Sequence, residues 1–281
     1  MFVIAGATGN TGGVVASTLL AQSKPVTVLV RDASKGESWR EKGAQVATAS
    51  LEDTHAVARA LAGAEGAYLL IPPDYKTEDA LGYGFRVSEA LAGAVKTSGI
   101  PHVVLLSSVG AQHADGTGPI RSLHHAESLL WPAAKNLTVI RAAYFLQNWS
   151  GSVDGVRNQG ALHNFLAPER KIPMVSTTDI GKIAAGYLAD LAPPDRANAL
   201  ARIGENTLTI AWVQYSLAQR CASYRFALDH LVVAEPENIA AQADLALTLL
   251  QQQVAANQLV PMPRFAAVPL GRAMRLASIV K

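Results

Sequence analysis

The chain has 281 residues, 49% hydrophobic and 16% charged, with a net charge of +2, a balance that suits a protein burying a sizeable core. No run of five like charges occurs, so the clustered basic surface of a nucleic-acid binder is not expected, and no apolar stretch approaches the ~20 residues that would span a bilayer. Cys221 is the single cysteine, which excludes an intrachain disulfide and a cysteine metal cluster, and a strand-like start without a basic leader makes a cytoplasmic protein the expectation.

Short apolar runs alternate with helical patterns over about the first 200 residues, the mark of βαβ units around a parallel sheet. The first expected strand is Phe2–Ala5, followed by a helix on Thr11–Gln22, where Val15 and Leu19 with Ala16 and Leu20 form an apolar stripe. Strands are then expected at Val26–Val30, Gln45–Ala47 and Gly66–Ile71, with Asp53 or Thr54 capping a helix that ends near Gly63. Gly84, Val87, Leu91 and Val95 line a further helix, stopped by Gly99-Ile100-Pro101, and strands follow at His102–Ser107 and Leu137–Ile140. Most of these strands lack polar alternation, as strands buried on both faces do.

Right-handed crossovers between such units imply a doubly wound, mostly parallel α/β Rossmann fold with strand order 3-2-1-4-5-6. After Ile140 the regularity falls. Strands are expected near Lys171–Val175 and Ala199–Ile203, with a helix from Thr178 or Asp179 to near Asp190. The division expected is a Rossmann domain over residues 1–150 and a small C-terminal lobe over 151–281 that partly interleaves with it. The lobe passes from α/β to a helical tail after about residue 207, broken at Pro261-Met262-Pro263.

Gly6-Ala7-Thr8-Gly9-Asn10-Thr11-Gly12 follows the first strand directly and opens a helix. A pyrophosphate needs backbone N–H groups aimed at it and the positive end of a helix dipole behind them. Glycine permits the tight turn and removes the Cβ that would block the phosphate. The spacing is GxxGxxG rather than GxGxxG, and the competing reading is an ordinary strand–helix turn. At the end of the second strand, where Asp or Glu would hold a ribose 2′-hydroxyl, stands Val30-Arg31-Asp32. The Arg31 guanidinium suits a 2′-phosphate through paired donors and a permanent charge, with Lys35 as a second cation. NADP(H) is therefore favoured over NAD(H). Asp32 leaves alternatives open: it pairs with the ribose, or with Arg31 as a solvated ion pair.

These residues carry a resemblance. The glycine heptad, Val28-Leu29-Val30-Arg31-Asp32 and Leu51-Glu52-Asp53 resemble the NmrA-like group of atypical short-chain dehydrogenases/reductases. So do Gly99 to Val104 with Ser107-Ser108, the His124-His125-Ala126-Glu127 helix and Thr138-Val139-Ile140-Arg141. The similarity extends to bacterial NADPH quinone reductases and triphenylmethane-dye reductases of that group. It implies a Rossmann domain with a small substrate lobe and a preference for NADP(H). Gly6, Ala7, Thr8, Gly9, Asn10, Thr11 and Gly12 would hold the pyrophosphate and Arg31 the 2′-phosphate. Asp53 would lie near the adenine, Ile71 and Pro72 would line the cofactor cleft, and Tyr144 to Asn148 would face the nicotinamide or the substrate. Ser50 departs from the acidic residue often found before Leu51-Glu52-Asp53. Beyond about residue 210 the resemblance fades, and Ala227 to Leu250 resembles part of one tetratricopeptide unit. Stable arrays need about three such units, so this segment reads as helices packed on the lobe.

Ordinary short-chain dehydrogenases exchange a proton through a Tyr-x-x-x-Lys pair on the helix after the fifth strand. No tyrosine lies between Tyr83 and Tyr144, so that mechanism is absent and an alcohol dehydrogenase is not expected. Quinones and conjugated dyes need less, because their hydride adducts are stabilised by conjugation and the cofactor does the chemistry. His124 is the candidate proton donor, with Glu127 one turn on; the competing reading is a surface pair of the two. Ser107 and Ser108, at the carboxyl end of the fifth strand, either hold the nicotinamide ribose, polarise a carbonyl, or only end the strand. The histidines His113, His124, His125 and His163 lack metal spacing, so no metal is expected. The expected function is an NADP(H)-dependent reductase of quinone-like or other conjugated small-molecule acceptors, monomeric or homodimeric. The alternative, implied by regulators within the same family, is a non-catalytic NADP(H)-binding redox sensor acting through a protein partner.

Overall fold

The computed structural model describes residues 1–74, 76–152, 171–189, 199–203 and 207–209, the last two stretches by their backbone alone. The chain divides into two compact units, Met1–Ala142 with Ile180–Ile203, and Ala143–Asp179 with Gly204–Lys281. Cys221, His163, the tetratricopeptide-like segment and the Pro261-Met262-Pro263 break lie outside the described residues.

The first unit is built on strands β1 (Phe2–Ala5), β2 (Val26–Val30), β3 (Gln45–Thr48), β4 (Gly66–Leu70), β5 (Val103–Ser108), β6 (Leu137–Ala142) and β9 (Ala199–Ile203). They form a seven-stranded sheet in the order β3-β2-β1-β4-β5-β6-β9, every neighbouring pair being parallel. The expected order stands, and β9 extends it by one strand at the β6 edge. β5 and β6 run further than their apolar runs suggest because their ladder continues through Ser107↔Arg141 and Ser108↔Ala142. Polar residues at strand ends thus join the sheet.

Alternate side chains of each strand feed two cores. Val3, Ala5, Leu69, Leu105 and Val139 pack against α3 (Thr54–Leu61), α4 (Ala80–Ser98) and α5 (Arg121–Ala133). Phe2, Ile4, Val28, Tyr68 and Val104 pack on the opposite face against α1 (Gly12–Ala21), α2 (Glu37–Glu41) and α6 (Thr177–Ala189). Helices on both faces explain why the strands read as unbroken apolar runs. Glycines allow the closest approaches: a Cβ on Gly84 of α4 would lie 2.6 Å from the Ser122 Cβ of α5, and one on Gly181 of α6 would lie 2.5 Å from the Val14 Cβ of α1.

In the second unit, β8 (Lys171–Val175) pairs in parallel with β7 (Tyr144–Phe145) and antiparallel with β10 (Thr207–Thr209). Thr207–Thr209, where the helical tail is expected to begin, is therefore a strand, and its β-branched residues suit that state. Gln147 ties the 3₁₀ segment Leu146–Ser152 to the start of α6: its carbonyl accepts from the Thr177 N–H and its amide donates to Ser176 Oγ. Among the described residues no helix is long and apolar enough to cross a membrane.

Candidate functional site

The turn from β1 into α1 is shaped by three glycines for three reasons. Gly6 has φ +66°, and a Cβ there would lie 2.6 Å from Leu70 Cδ2. At Gly12 a Cβ would meet the carbonyl oxygens of Ala5 and Gly6, each at 2.5 Å, so only glycine lets α1 start this close to the strand. Gly9 sits at the exposed apex with Thr8 and Asn10, and its Cβ would meet only the Gly6 oxygen, at 3.3 Å. The turn is closed by Gly9 N–H donating to the Gly6 carbonyl at 2.9 Å and Gly13 N–H to the Gly9 carbonyl at 3.2 Å. The N–H groups of Thr11 and Gly12 have no acceptor among the described residues. Unfilled donors at a helix start, beside an apex kept free of side chain, fit a pyrophosphate.

Thr11 holds the position that would cap α1, yet it makes no side-chain capping bond. Its Oγ1 instead accepts from the Tyr68 hydroxyl at 2.9 Å. Tyr68 is wholly buried on β4, and burial pushes its phenol well above the usual tyrosine range.

At the end of β2, Arg31 is exposed and makes no ion pair or hydrogen bond with the described residues. Asp32 is engaged elsewhere: it accepts from the Ser34 hydroxyl at 2.8 Å and the Ser34 N–H at 3.0 Å, capping the 3₁₀ turn Ala33–Gly36. Those two bonds hold its carboxyl below the usual range, with nearby Lys35 adding a smaller effect. Of the readings open for Asp32, pairing with Arg31 is therefore set aside. Asp53 caps α3, accepting from the Ala56 N–H at 2.9 Å. Ile71 and Pro72 follow β4 half-buried. Tyr83 of α4 lies within electrostatic reach of Arg31, though burial is the larger influence and raises its phenol.

The carboxyl ends of β5 and β6 hold a buried polar cluster. Glu127 turns inward from α5 and is 4% exposed. It accepts from the Ser107 hydroxyl at 2.5 Å and from Arg141 in a two-point pair, Nε to Oε1 at 3.0 Å and Nη2 to Oε2 at 2.5 Å. The hydrogen bonds that Arg141 donates to Glu127 raise its pKa above the usual guanidinium range. Glu127 thus is not the surface partner of His124. The expectation of such a pair fails because the helical spacing of two residues does not reveal a cation waiting on a neighbouring strand.

His124 Nδ1 donates to the Ala111 carbonyl at 2.8 Å, and its Nε2 has no hydrogen-bond partner among the described residues. Ser108 Oγ donates to the Val109 carbonyl at 2.9 Å. In the second unit, Tyr144 is half-buried, its ring tilted on Trp149 at 5.9 Å, and Asn148 is exposed. Among the described residues no group of three or more His, Cys, Asp or Glu is placed to hold a metal ion.

The glycine turn, Arg31 and the Ser107 cluster all lie at the carboxyl edge of one parallel sheet, the edge where such sheets bind ligands. Sequence reasoning overlooked Tyr68 and gave Arg141 no role. The available signal for each was a polar group inside or closing an otherwise apolar strand.

The sheet order and the glycine turn opening α1 define a Rossmann-type α/β protein. Residues 1–214 match the NmrA-like family, and the chain belongs to it. Among curated proteins it is similar to an NAD(P)H azoreductase of Xenophilus azovorans, 26% identical over 190 residues, covering 67% of this chain and 63% of the relative. It is also similar to a nitrogen metabolite regulation-like protein of Gibberella fujikuroi, 28% identical over 210 residues, covering 67% of this chain and 60% of the relative. The match thus spans somewhat under two thirds of either relative's length. Among solved structures, the NADPH-dependent quinone oxidoreductase of Escherichia coli complexed with NADPH superposes with a TM-score of 0.66 at 19% identity, covering 100% of this chain and 99% of that one. The Citrobacter sp. triphenylmethane reductase complexed with NADP(H) gives 0.63 at 18% identity, covering 98% and 99%. At these identities the structural likeness speaks for the fold.

Proposed function

We propose that this chain is an NADP(H)-dependent reductase that passes hydride to quinone-like or other conjugated small molecules. The observation that carries the reading is Arg31: a guanidinium with no partner among the described residues at the end of β2, on the same sheet edge as a glycine turn whose Thr11 and Gly12 N–H donors have no acceptor among them. That arrangement suits a dinucleotide with a 2′-phosphate, as Asp32 is occupied in capping its own turn. The solved relatives in complex with NADPH or NADP(H) support the same cofactor.

When bound, NADP(H) supplies the hydride. The chain's own residues bind and orient. Gly6 to Gly12 take the pyrophosphate, with Ile71 and Pro72 lining the cleft and Asp53 fixing the helix beside the adenine. Ser107 spends its single proton on Glu127, so it meets a ligand as an acceptor. That suits a ribose hydroxyl or a carboxamide N–H, and it is unsuited to polarising an acceptor's carbonyl. Arg141 holds Glu127 in place by its two-point pair. His124 offers a proton at Nε2, while water remains the other source for acceptors whose adducts conjugation stabilises.

A panel of quinones and azo or triphenylmethane dyes, with NADPH consumption as the readout, tests the reading. Turnover with NADPH exceeding that with NADH is expected. On the same panel His124→Ala should lower turnover by about 10²-fold, the low end for general-acid catalysis. An unchanged rate would assign the proton to water. The second reading, a non-catalytic redox sensor working through a protein partner, is favoured by the nitrogen metabolite regulation-like relative. NADP(H) binding without turnover on any acceptor would select it.

A further inference from the structure

We infer that Tyr68 is a positioning residue for the dinucleotide, anchoring the start of α1 to the sheet so that its N–H groups stay open to the pyrophosphate. The inference rests on the cofactor reading above. A threonine at a helix start ordinarily caps it, accepting from an N–H in the first turn. Thr11 does not: its backbone is already helical, with φ −92° and ψ −53°, and its side chain makes no capping bond. What holds it is the Tyr68 hydroxyl, 57 residues away in sequence, at 2.9 Å. Tyr68 is 0% exposed and Thr11 is 6% exposed, so this bond is shielded from water. Neither side chain makes another hydrogen bond among the described residues.

The consequence is a helix start pinned from outside rather than capped from within. Pinning fixes where the glycine turn stands relative to β1 and β4, with the Thr11 and Gly12 N–H groups left without an acceptor among the described residues. An anion then meets a preorganised turn and displaces no internal bond. The Tyr68 ring packs in the core formed with Ile4, Val28 and Val104, so the anchor is itself rigid. The 2′-phosphate lies at a different strand end, so the contribution of Tyr68 is common to any dinucleotide.

Tyr68→Phe keeps the ring and removes the bond. Calorimetry should show NADPH and NADH both bound about five- to tenfold more weakly, the worth of one buried hydrogen bond. Amide exchange at Gly9 and Gly13, the donors that close the turn, should quicken in the ligand-free variant while the sheet amides are unchanged. Thr11→Val should weaken both cofactors similarly, and the double variant should be no worse than either single one. Unchanged affinities in folded Tyr68→Phe or Thr11→Val would overturn the inference, as would losses that simply add in the double variant. A loss confined to NADPH would assign the effect to the 2′-phosphate end and overturn it too. Should wild-type protein bind neither dinucleotide, the cofactor reading fails on its own, and unaltered exchange at Gly9 and Gly13 would still overturn the anchor.

Discussion

Arg31 is exposed with no counter-ion among the described residues, an arrangement that gains little in stability and is useful chiefly toward a ligand. Arg31→Ala should therefore weaken NADPH binding by roughly 1.5–3 kcal/mol, the worth of a hydrogen bond to a charged group, and leave NADH binding and the thermal midpoint unchanged. Equal losses for both cofactors in calorimetry would remove the 2′-phosphate assignment. Arg31 and the glycines were legible in sequence because backbone geometry and permanent charge restrict what can stand at those positions. Glu127 was not. Its spacing from His124 is helical, but its partners are Ser107 and Arg141 on two strands, and which way a half-polar helix faces depends on packing that no local pattern encodes. The Tyr68–Thr11 bond was hidden for the same reason, since it joins residues far apart in the chain.

At the scale of elements, apolar periodicity located the strands well, because burial on both sheet faces leaves a continuous apolar signal. It located strand ends less well, since Ser107, Ser108 and Arg141 extend the β5–β6 ladder with polar residues. Helix α6 illustrates what propensity leaves out. Its start lies near the expected Thr178 or Asp179, yet its seat against α1 depends on Gly181, where a Cβ would fall 2.5 Å from Val14 Cβ and 2.9 Å from the Thr11 carbonyl oxygen. Neither atom is the end of a flexible side chain. Gly181→Ala should thus destabilise the protein by about 1–3 kcal/mol, the usual cost of overpacking, despite alanine's better helix propensity. A thermal midpoint at or above that of the wild type would show that α6 shifts without cost.

For the whole molecule, the sheet of the first unit is completed late in the chain. β9 covers the edge of β6, and Ala184, Ala185 and Leu188 of α6 complete the core around Phe2, Ile4 and Ile140. A fragment ending at Ala142 keeps the glycine turn and Arg31 but exposes a strand edge beside an uncovered apolar face. It should associate or precipitate, as size-exclusion chromatography would show, whereas a monodisperse monomer would mean that six strands suffice.

The chain passes between its two units after Ala142, after Asp179 and after Ile203. Considered as heritable material, this makes the first unit a poor cassette. One recombination crossover before residue 199 seats the other parent's β9 on this sheet, and one before residue 177 brings in the other parent's α6 as well. The stretch from Ala143 to Asp179 can be exchanged only by a paired event that restores both flanks, or altered one codon at a time.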